Sequence, residues 1–366
     1  MGFTCGLVGL PNTGKSTLFG ALTRTKAQSG NYAFTTIEPN NGIVPVPDKR
    51  MDTLTHYVKT KKIVLTTMEF IDIAGLIKGA SKGEGLGNKF LGHIREVDAI
   101  AHVVRCFEDD NVPHVSDIID PVSDINTINT ELMISDIESL DRRKTKIGKL
   151  ARSGDKEALM QVEVLTKLSD ALDQNRPARS ITDFNDEQKE YVKSLTLLSA
   201  KPVLYICNVT DPGDTENELV QKVKEIATED GSSVVALAGK LEGEIMEIED
   251  PEEQTMFMEE MGLTETGLDL MISAGYGLLD LATYFTAGEE ENRAWTIPKN
   301  AKAPQAAGVI HSDFEKGFIR AEVYSLEDLV RYESEAAIKD AGKLRVEGKE
   351  YVVKDGDIMH FRFNVK

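Results

Sequence analysis

Cysteine is scarce in this chain. Cys5, Cys106 and Cys207 stand far apart and form no Cys-x-x-Cys pair, which argues against a structural zinc site and for reduced thiols in a cytoplasm. Each reads as a buried strand residue ahead of a regulatory thiol. Long apolar runs are also missing: no segment approaches the ~20 residues that a membrane span needs. Met1-Gly2-Phe3-Thr4 leads directly into a strand-like segment, without the basic region and apolar stretch of a secretory signal. Positive charge is in deficit. Lys and Arg number 42 against 61 Asp and Glu, a formal net charge of −19, which argues against simple electrostatic binding of nucleic acid. The deficit is local, however. Residues 211–293 hold 22 of the acids and 4 of the bases. The rest of the chain is close to neutral, which leaves room for a local basic face.

What is present begins at residue 9. Gly9-Leu10-Pro11-Asn12-Thr13-Gly14-Lys15-Ser16 has the spacing G-x-x-x-x-G-K-S. It follows the apolar run Cys5–Val8 and leads into a helical pattern from Thr17. That strand–loop–helix context marks a phosphate-binding loop. Its glycines let backbone N–H groups turn toward phosphate, and the helix N-terminus favours the negative charge. Asn12, Thr13, Gly14 and Thr17 belong to this cradle, Lys15 reaches the β- and γ-phosphates, and Ser16 supplies a Mg²⁺ ligand.

Further motifs extend the site. Asp72-Ile73-Ala74-Gly75 follows the strand-like run Thr67–Asp72. Asp72 is placed to hold the Mg²⁺ shell through water, and Gly75 to bring a backbone N–H to the γ-phosphate. The glycine-rich run Lys78–Asn88 beyond it reads as a loop that the γ-phosphate can order, or as a plain flexible loop. In Phe34–Asn40, Thr36 stands where a second Mg²⁺-ligating hydroxyl belongs. After the strand Val203–Cys207 comes Asn208-Val209-Thr210-Asp211, at the place of a base-reading N-K-x-D motif. Val209 replaces the lysine, which weakens strict guanine selectivity, while Asp211 still permits it. Leu76 stands where many GTPases carry a water-orienting glutamine. His114, a loop residue, is a candidate to place the water, although a lone loop histidine is ordinarily a solvated side chain. Asn12 can also coordinate a monovalent cation such as K⁺ beside the phosphates, in place of an arginine finger.

At 366 residues the chain needs two or three domains. Strands alternating with helices over the first third predict a mostly parallel α/β sheet, resumed at Pro202–Cys207 and Ser233–Leu237. Between Asn129 and Leu198, apolar residues recur at three- and four-residue steps. They predict an inserted pair of antiparallel helices broken at Ser153-Gly154-Asp155. Arg142, Arg143, Lys144, Lys146, Lys149 and Arg152 on the first of them read equally as a solvated face or as a contact with RNA phosphate. Glu242–Glu260 reads as a solvated helix and a linker. Beyond residue 280, short runs at Ala294–Ile297, Gly317–Val323, Lys349–Val353 and Ile358–Phe363 predict a small α+β domain.

Gly9–Ser16, Phe34–Asn40, Asp72–Asn88 and His102–His114 together resemble the Obg-like P-loop ATPases of the YchF type, within the TRAFAC class of translation-factor-related NTPases. Ala294–Pro298, Ala303–Phe318 and Val352–Phe363 extend the resemblance to nearly the whole chain. It implies a G-type domain over 1–128 and 200–277, a helical coiled-coil hairpin over 129–199, and a C-terminal TGS domain of ubiquitin-like β-grasp fold over 278–366. It further implies ATP hydrolysis, ribosome association through the hairpin and TGS domain, and a cytoplasmic monomer. By the same resemblance Ser16 and Thr36 hold Mg²⁺, residues 12–17 hold the phosphates, Val209 makes a backbone contact to adenine, and His114 is catalytic. One departure stands out: the family's Glu is replaced by Asp211, the shorter carboxylate that guanine recognition uses. Two alternatives therefore remain beside a slow ATPase switch. One is a GTPase of ribosome assembly or translation. The other is a binding module that nucleotide orders with negligible turnover.

Overall fold

A computed structural model describes residues 3–28, 41–73, 86–109, 112 and 118–364. They form two compact units, one of residues 4–43 and 69–278, the other of 44–68 and 279–364 with Phe3.

In the larger unit the strands are β1 (Phe3–Val8), β2 (Asn41–Pro45), β4 (Thr67–Asp72), β5 (Ala99–Arg105), β6 (Val203–Asn208) and β7 (Ser233–Leu237), in the order β2-β4-β1-β5-β6-β7. β1, β5, β6 and β7 run parallel. Every residue of β5 and β6 is buried, as expected of central parallel strands covered on both faces. Helices α1 (Lys15–Gln28), α3 (Leu86–Glu96), α6 (Asp186–Leu195), α7 (Glu218–Asp230), α8 (Gly239–Ile245), α9 (Pro251–Glu260) and α10 (Gly267–Leu278) belong to the same unit.

The predicted helical pair is α4 (Pro121–Arg152) and α5 (Lys156–Asp173). Asp120 caps α4 by accepting from Val122 N, with Pro121 in the first turn. Asp155 caps α5 by accepting from Ala158 N. Gly154, at φ 82°, supplies the left-handed turn between them. Leu140, Val164, Leu165 and Leu168 fill the seam. Helix α4 starts eight residues before the expected boundary, because Ile125 and Ile128 still carry a core-facing stripe.

A buried ionic knot ties the hairpin base to the sheet. Arg179 donates to Asp230 at 2.6 Å, and to Asn129 of α4 and Tyr205 of β6 at 3.1 Å each. Tyr205 in turn donates to Asp230 at 2.9 Å. Asp136, also on α4, accepts from Leu198 N, Ser199 N and the Ser199 hydroxyl.

The acidic stretch departs from expectation. Of its two helices, α9 has no buried residues and α8 has several. Glu242 on α8 is 2% exposed and accepts from Gly267 N and Leu268 N, the opening donors of α10. Burial raises its pKa, and the two amides lower it less.

In the smaller unit β3 (Ile63–Val64), β8 (Leu281–Thr286), β9 (Asn292–Pro298), β10 (Phe318–Ser325), β11 (Arg345–Glu347) and β12 (Asp357–Phe363) make a second sheet, ordered β11-β10-β12-β8-β9-β3. β8 and β9 form an antiparallel hairpin, and β12 lies parallel to β8. Helices α2 (Lys49–Tyr57), α11 (Ala303–Ile310), α12 (Ser312–Lys316), α13 (Leu326–Tyr332) and α14 (Glu335–Asp340) pack around it. Residues 44–68, read from sequence as part of the nucleotide domain, belong to this unit. Met51 and Leu54 of α2 are buried against Phe285, Tyr324 and Leu329, and Arg50 pairs with Asp355 at 2.6 Å. Lys349–Val353 is no strand; it contributes one isolated bridge, Val352 to Lys302. No helix among the described residues is long and apolar enough to cross a membrane.

Candidate nucleotide-binding site

The phosphate loop leaves β1 at Val8 and enters α1 at Lys15. Asn12 and Gly14 take positive φ angles, 65° and 90°. Such angles turn successive N–H groups inward around an anion. The Thr13 side chain is buried and donates to Leu10 O at 3.0 Å, so it shapes the loop from within. A cleft of about 450 Å³ runs along Gly9–Thr17. Lys15 Nζ contacts the Asp72 carboxylate at the end of β4, which brings the two motifs together at the mouth of the loop.

Asn208 fastens this loop to the far side of the site. Its Nδ2 donates to Thr13 O and its Oδ1 accepts from Gly239 N, both at 2.9 Å. A Cβ on Gly14 would collide with the Asn208 amide, so the glycine is required by close approach as well as by φ. Both halves of the Asn208 amide are thereby committed to the scaffold.

A second cleft of about 380 Å³ opens beside the loop. Asn12, Gly14 and Thr17 line it, as do Val209, Thr210 and Lys240. Phe107, Asp109 and Val112 form a further part of its wall. Its shape and apolar sides suit a purine base above a phosphate cradle. Val209 lines the cleft and is buried, and its N–H is committed to Leu237 O at 3.0 Å. Asp211 is not brought into this cleft. It caps the 3-10 turn Pro212–Asp214, accepting from Gly213 N at 2.9 Å, and it is exposed.

The structure therefore gathers Asn12, Gly14, Lys15, Ser16, Thr17, Asp72, Asn208 and Val209 about one site, with Thr13 behind the loop. Gly75, Thr36, His114, Leu76 and residues 78–85 lie outside the described residues. Sequence reasoning missed Phe107, Asp109, Val112 and Lys240. One signal was available: Arg105, a charged residue ending a mostly apolar strand.

The three cysteines are free and buried. Burial pushes the Cys5 thiol up to about 12. A hydrogen bond to Cys207 and burial raise the Cys106 thiol as well. Neither has the thiolate character of a reactive cysteine. His102 on β5 is buried with Nε2 unpartnered, and burial lowers its pKa to about 3. No group of three or more His, Cys, Asp or Glu able to hold a metal occurs among the described residues.

Residues 4–136 match the family described as a 50S ribosome-binding GTPase. Residues 281–364 match YchF-GTPase_C, described as a protein of unknown function. The Ribosome-binding ATPase YchF of Bacillus subtilis (strain 168) is 56% identical over 370 residues, covering 100% of both chains. The chain belongs to the YchF family. A YchF of the same description from Haemophilus influenzae is 53% identical over 365 residues, again covering 100% of each. A solved structure, that of the Schizosaccharomyces pombe YchF GTPase, superposes with a TM-score of 0.87 at 38% identity, covering 98% of this chain and 97% of that one. The P-loop domain, helical insertion and C-terminal domain described above are thus the YchF architecture.

Proposed function

We propose that this chain is a Mg²⁺-dependent ATPase that serves as a ribosome-associated switch in the cytoplasm. The observation that carries the choice of base is Asp211. In guanine recognition that carboxylate accepts from the base N1 and N2. Here it is exposed and caps its own turn, while Val209 presents an apolar side chain where a lysine stem would lie. Relatives described as ribosome-binding ATPases support the same reading.

Ser16, in the first turn of α1, and Asp72, drawn to the loop mouth by Lys15, offer the hard oxygen donors that Mg²⁺ prefers, Asp72 through water. Thr36 would complete the set. Bound there, Mg²⁺ would neutralise charge on the β- and γ-phosphates. Lys15 and the N–H groups of residues 12–17 stabilise charge developing on the transferred phosphoryl group. Gly75 adds a γ-phosphate contact. Asn12, already turned to positive φ, carries the K⁺ site. With Leu76 in the glutamine's place, His114 positions the attacking water and intrinsic turnover is slow.

The hairpin and the C-terminal TGS-type unit make the ribosome contact, on the large subunit or the whole ribosome, and the protein acts as a monomer. Arg142, Lys146, Lys149 and Arg152 are exposed near the hairpin end, which suits a phosphate backbone.

Paired titrations of MgATP and MgGTP test the reading. ATP should bind at least about tenfold tighter, a difference of about 1.4 kcal/mol. A Kd ratio favouring GTP would overturn it. Lys15→Ala should abolish hydrolysis, and His114→Ala should cut turnover while sparing affinity. Turnover that stays at background with ribosomes and K⁺ present would instead leave a nucleotide-gated binding module.

A further inference from the structure

Arg105 ends β5 with its side chain inside the protein, 1% exposed. Its described partners are main-chain carbonyls of the segment that follows. Nε donates to Phe107 O at 3.2 Å, one terminal nitrogen to Val112 O at 2.9 Å, and the other to Asp109 O at 3.2 Å. The guanidinium also lies over the Phe107 ring, 4.7 Å from its centroid. All three carbonyl partners belong to residues that form one wall of the 380 Å³ cleft.

Other bonds anchor the start of this segment and close a turn within it. Val112 N donates to Asp109 O at 3.1 Å, closing a turn. Cys106 N donates to Asn208 O, and Asn217 donates to Cys106 O, each at 2.9 Å. These bonds fix where the segment leaves the sheet. Arg105 holds Phe107, Asp109 and Val112 by their carbonyls, because a planar fork with donors on several sides can hold three acceptors in one arrangement.

We propose that Arg105 is a positioning residue for nucleotide selection: it presents Phe107 and Val112 to the base and touches no phosphate. The proposal rests on the reading of this cleft as the base pocket. It separates two parts of one ligand. Phosphate binding depends on Gly9–Thr17, which Arg105 does not hold. Base binding depends on the wall that it does hold.

The test compares wild type, Arg105→Lys, Phe107→Ala and the double variant, with MgATP and magnesium tripolyphosphate as probes. A lysine keeps the charge but loses the fork. Arg105→Lys should weaken ATP about tenfold and leave tripolyphosphate within about twofold, raising KM with kcat retained at saturation. Phe107→Ala should do the same. The double variant should be no worse than Phe107→Ala alone, since both act through one wall. Arg105→Gln carries the same expectation should the lysine variant fail to fold. Parallel loss of ATP and tripolyphosphate, or additive effects, would reduce Arg105 to a structural residue and overturn the proposal. If Phe107→Ala weakens ATP while folded Arg105 variants do not, the role of Arg105 fails alone. If Phe107→Ala leaves ATP binding unchanged, the base-pocket reading itself fails.

Discussion

Asn208 Nδ2 donates to Thr13 O at 2.9 Å, joining the end of β6 to the phosphate loop across 195 residues of sequence. Its Oδ1 simultaneously accepts from Gly239 N. Asn208→Ala leaves a buried carbonyl and a buried amide without partners, each costing about 1–3 kcal/mol. Asn208→Asp keeps the Gly239 bond but sets a carboxylate against Thr13 O. Both variants should lose stability in urea titrations and weaken ATP, with Asp at least as damaging as Ala. A stable Asn208→Asp protein with wild-type affinity would show that the amide is no brace.

Gly14 tests the same brace from the other side. Gly14→Ala puts a Cβ into the Asn208 amide at a backbone φ of 90°. The collision disappears in an Asn208→Ala background, whereas the backbone strain, about 1–2 kcal/mol, remains. A double-mutant cycle followed by thermal unfolding should therefore show Gly14→Ala costing less in that background. Equal cost in both backgrounds would place the whole effect in φ.

Arg179 and Asp230 are 6% and 7% exposed at the side chain and pair at 2.6 Å. Removing one partner leaves an uncompensated buried charge, a loss of about 3–5 kcal/mol. Asp230→Asn and Arg179→Met should each lower the urea midpoint sharply. Replacing both by apolar residues should recover part of the loss. If single and double variants unfold alike, the pair contributes through packing rather than charge.

These pairings explain what sequence reading reached. The phosphate loop is contiguous, so its spacing, strand and helix are all local information, and β5 and β6 announce themselves as mostly apolar runs. Asn208 was legible as part of a motif, but its partners Thr13 and Gly239 were not. Asp211 carries the right residue type for a base reader, and the structure shows one of its oxygens accepting from Gly213 N, a local cap that its motif position did not reveal. Met51 and Leu54 look like any amphipathic helix, and only the packing against Phe285 assigns residues 44–68 to the smaller unit. Phe107, Asp109 and Val112 reach the cleft because Arg105 folds the chain around its guanidinium. No periodicity encodes that arrangement.

His102 makes stability fall on mild acidification. Its pKa drops from 6.5 to about 3 on folding, through burial first and the Arg179 charge second. Between those values the unfolded chain binds the proton and the folded chain does not. Stability is thus fully present above pH 6.5 and declines as pH falls toward 3, by about 1.4 kcal/mol per pH unit at most. His102→Leu should flatten the urea midpoint between pH 6.5 and 5. An unchanged slope would show that the histidine protonates in place.

Glu242 caps α10 from α8, and its burial sets two effects against each other. Desolvation raises its pKa, while Gly267 N at 2.8 Å and Leu268 N at 3.2 Å favour the carboxylate. Glu242→Gln removes the desolvation penalty but keeps one carbonyl oxygen for two donors. Glu242→Ala removes both acceptors and leaves the first turn of a buried helix unsatisfied, about 1–3 kcal/mol. The Gln variant should therefore lie between wild type and Ala at neutral pH. The raised folded pKa means that the folded chain holds the Glu242 proton where the unfolded chain has lost it, so wild type gains stability as pH falls through the folded pKa, and Gln, which does not titrate, does not. The gap between wild type and Gln should therefore widen on acidification. A gap independent of pH would show that the carboxyl titrates alike in the folded and unfolded chains, and the buried-carboxylate reading would have to be abandoned.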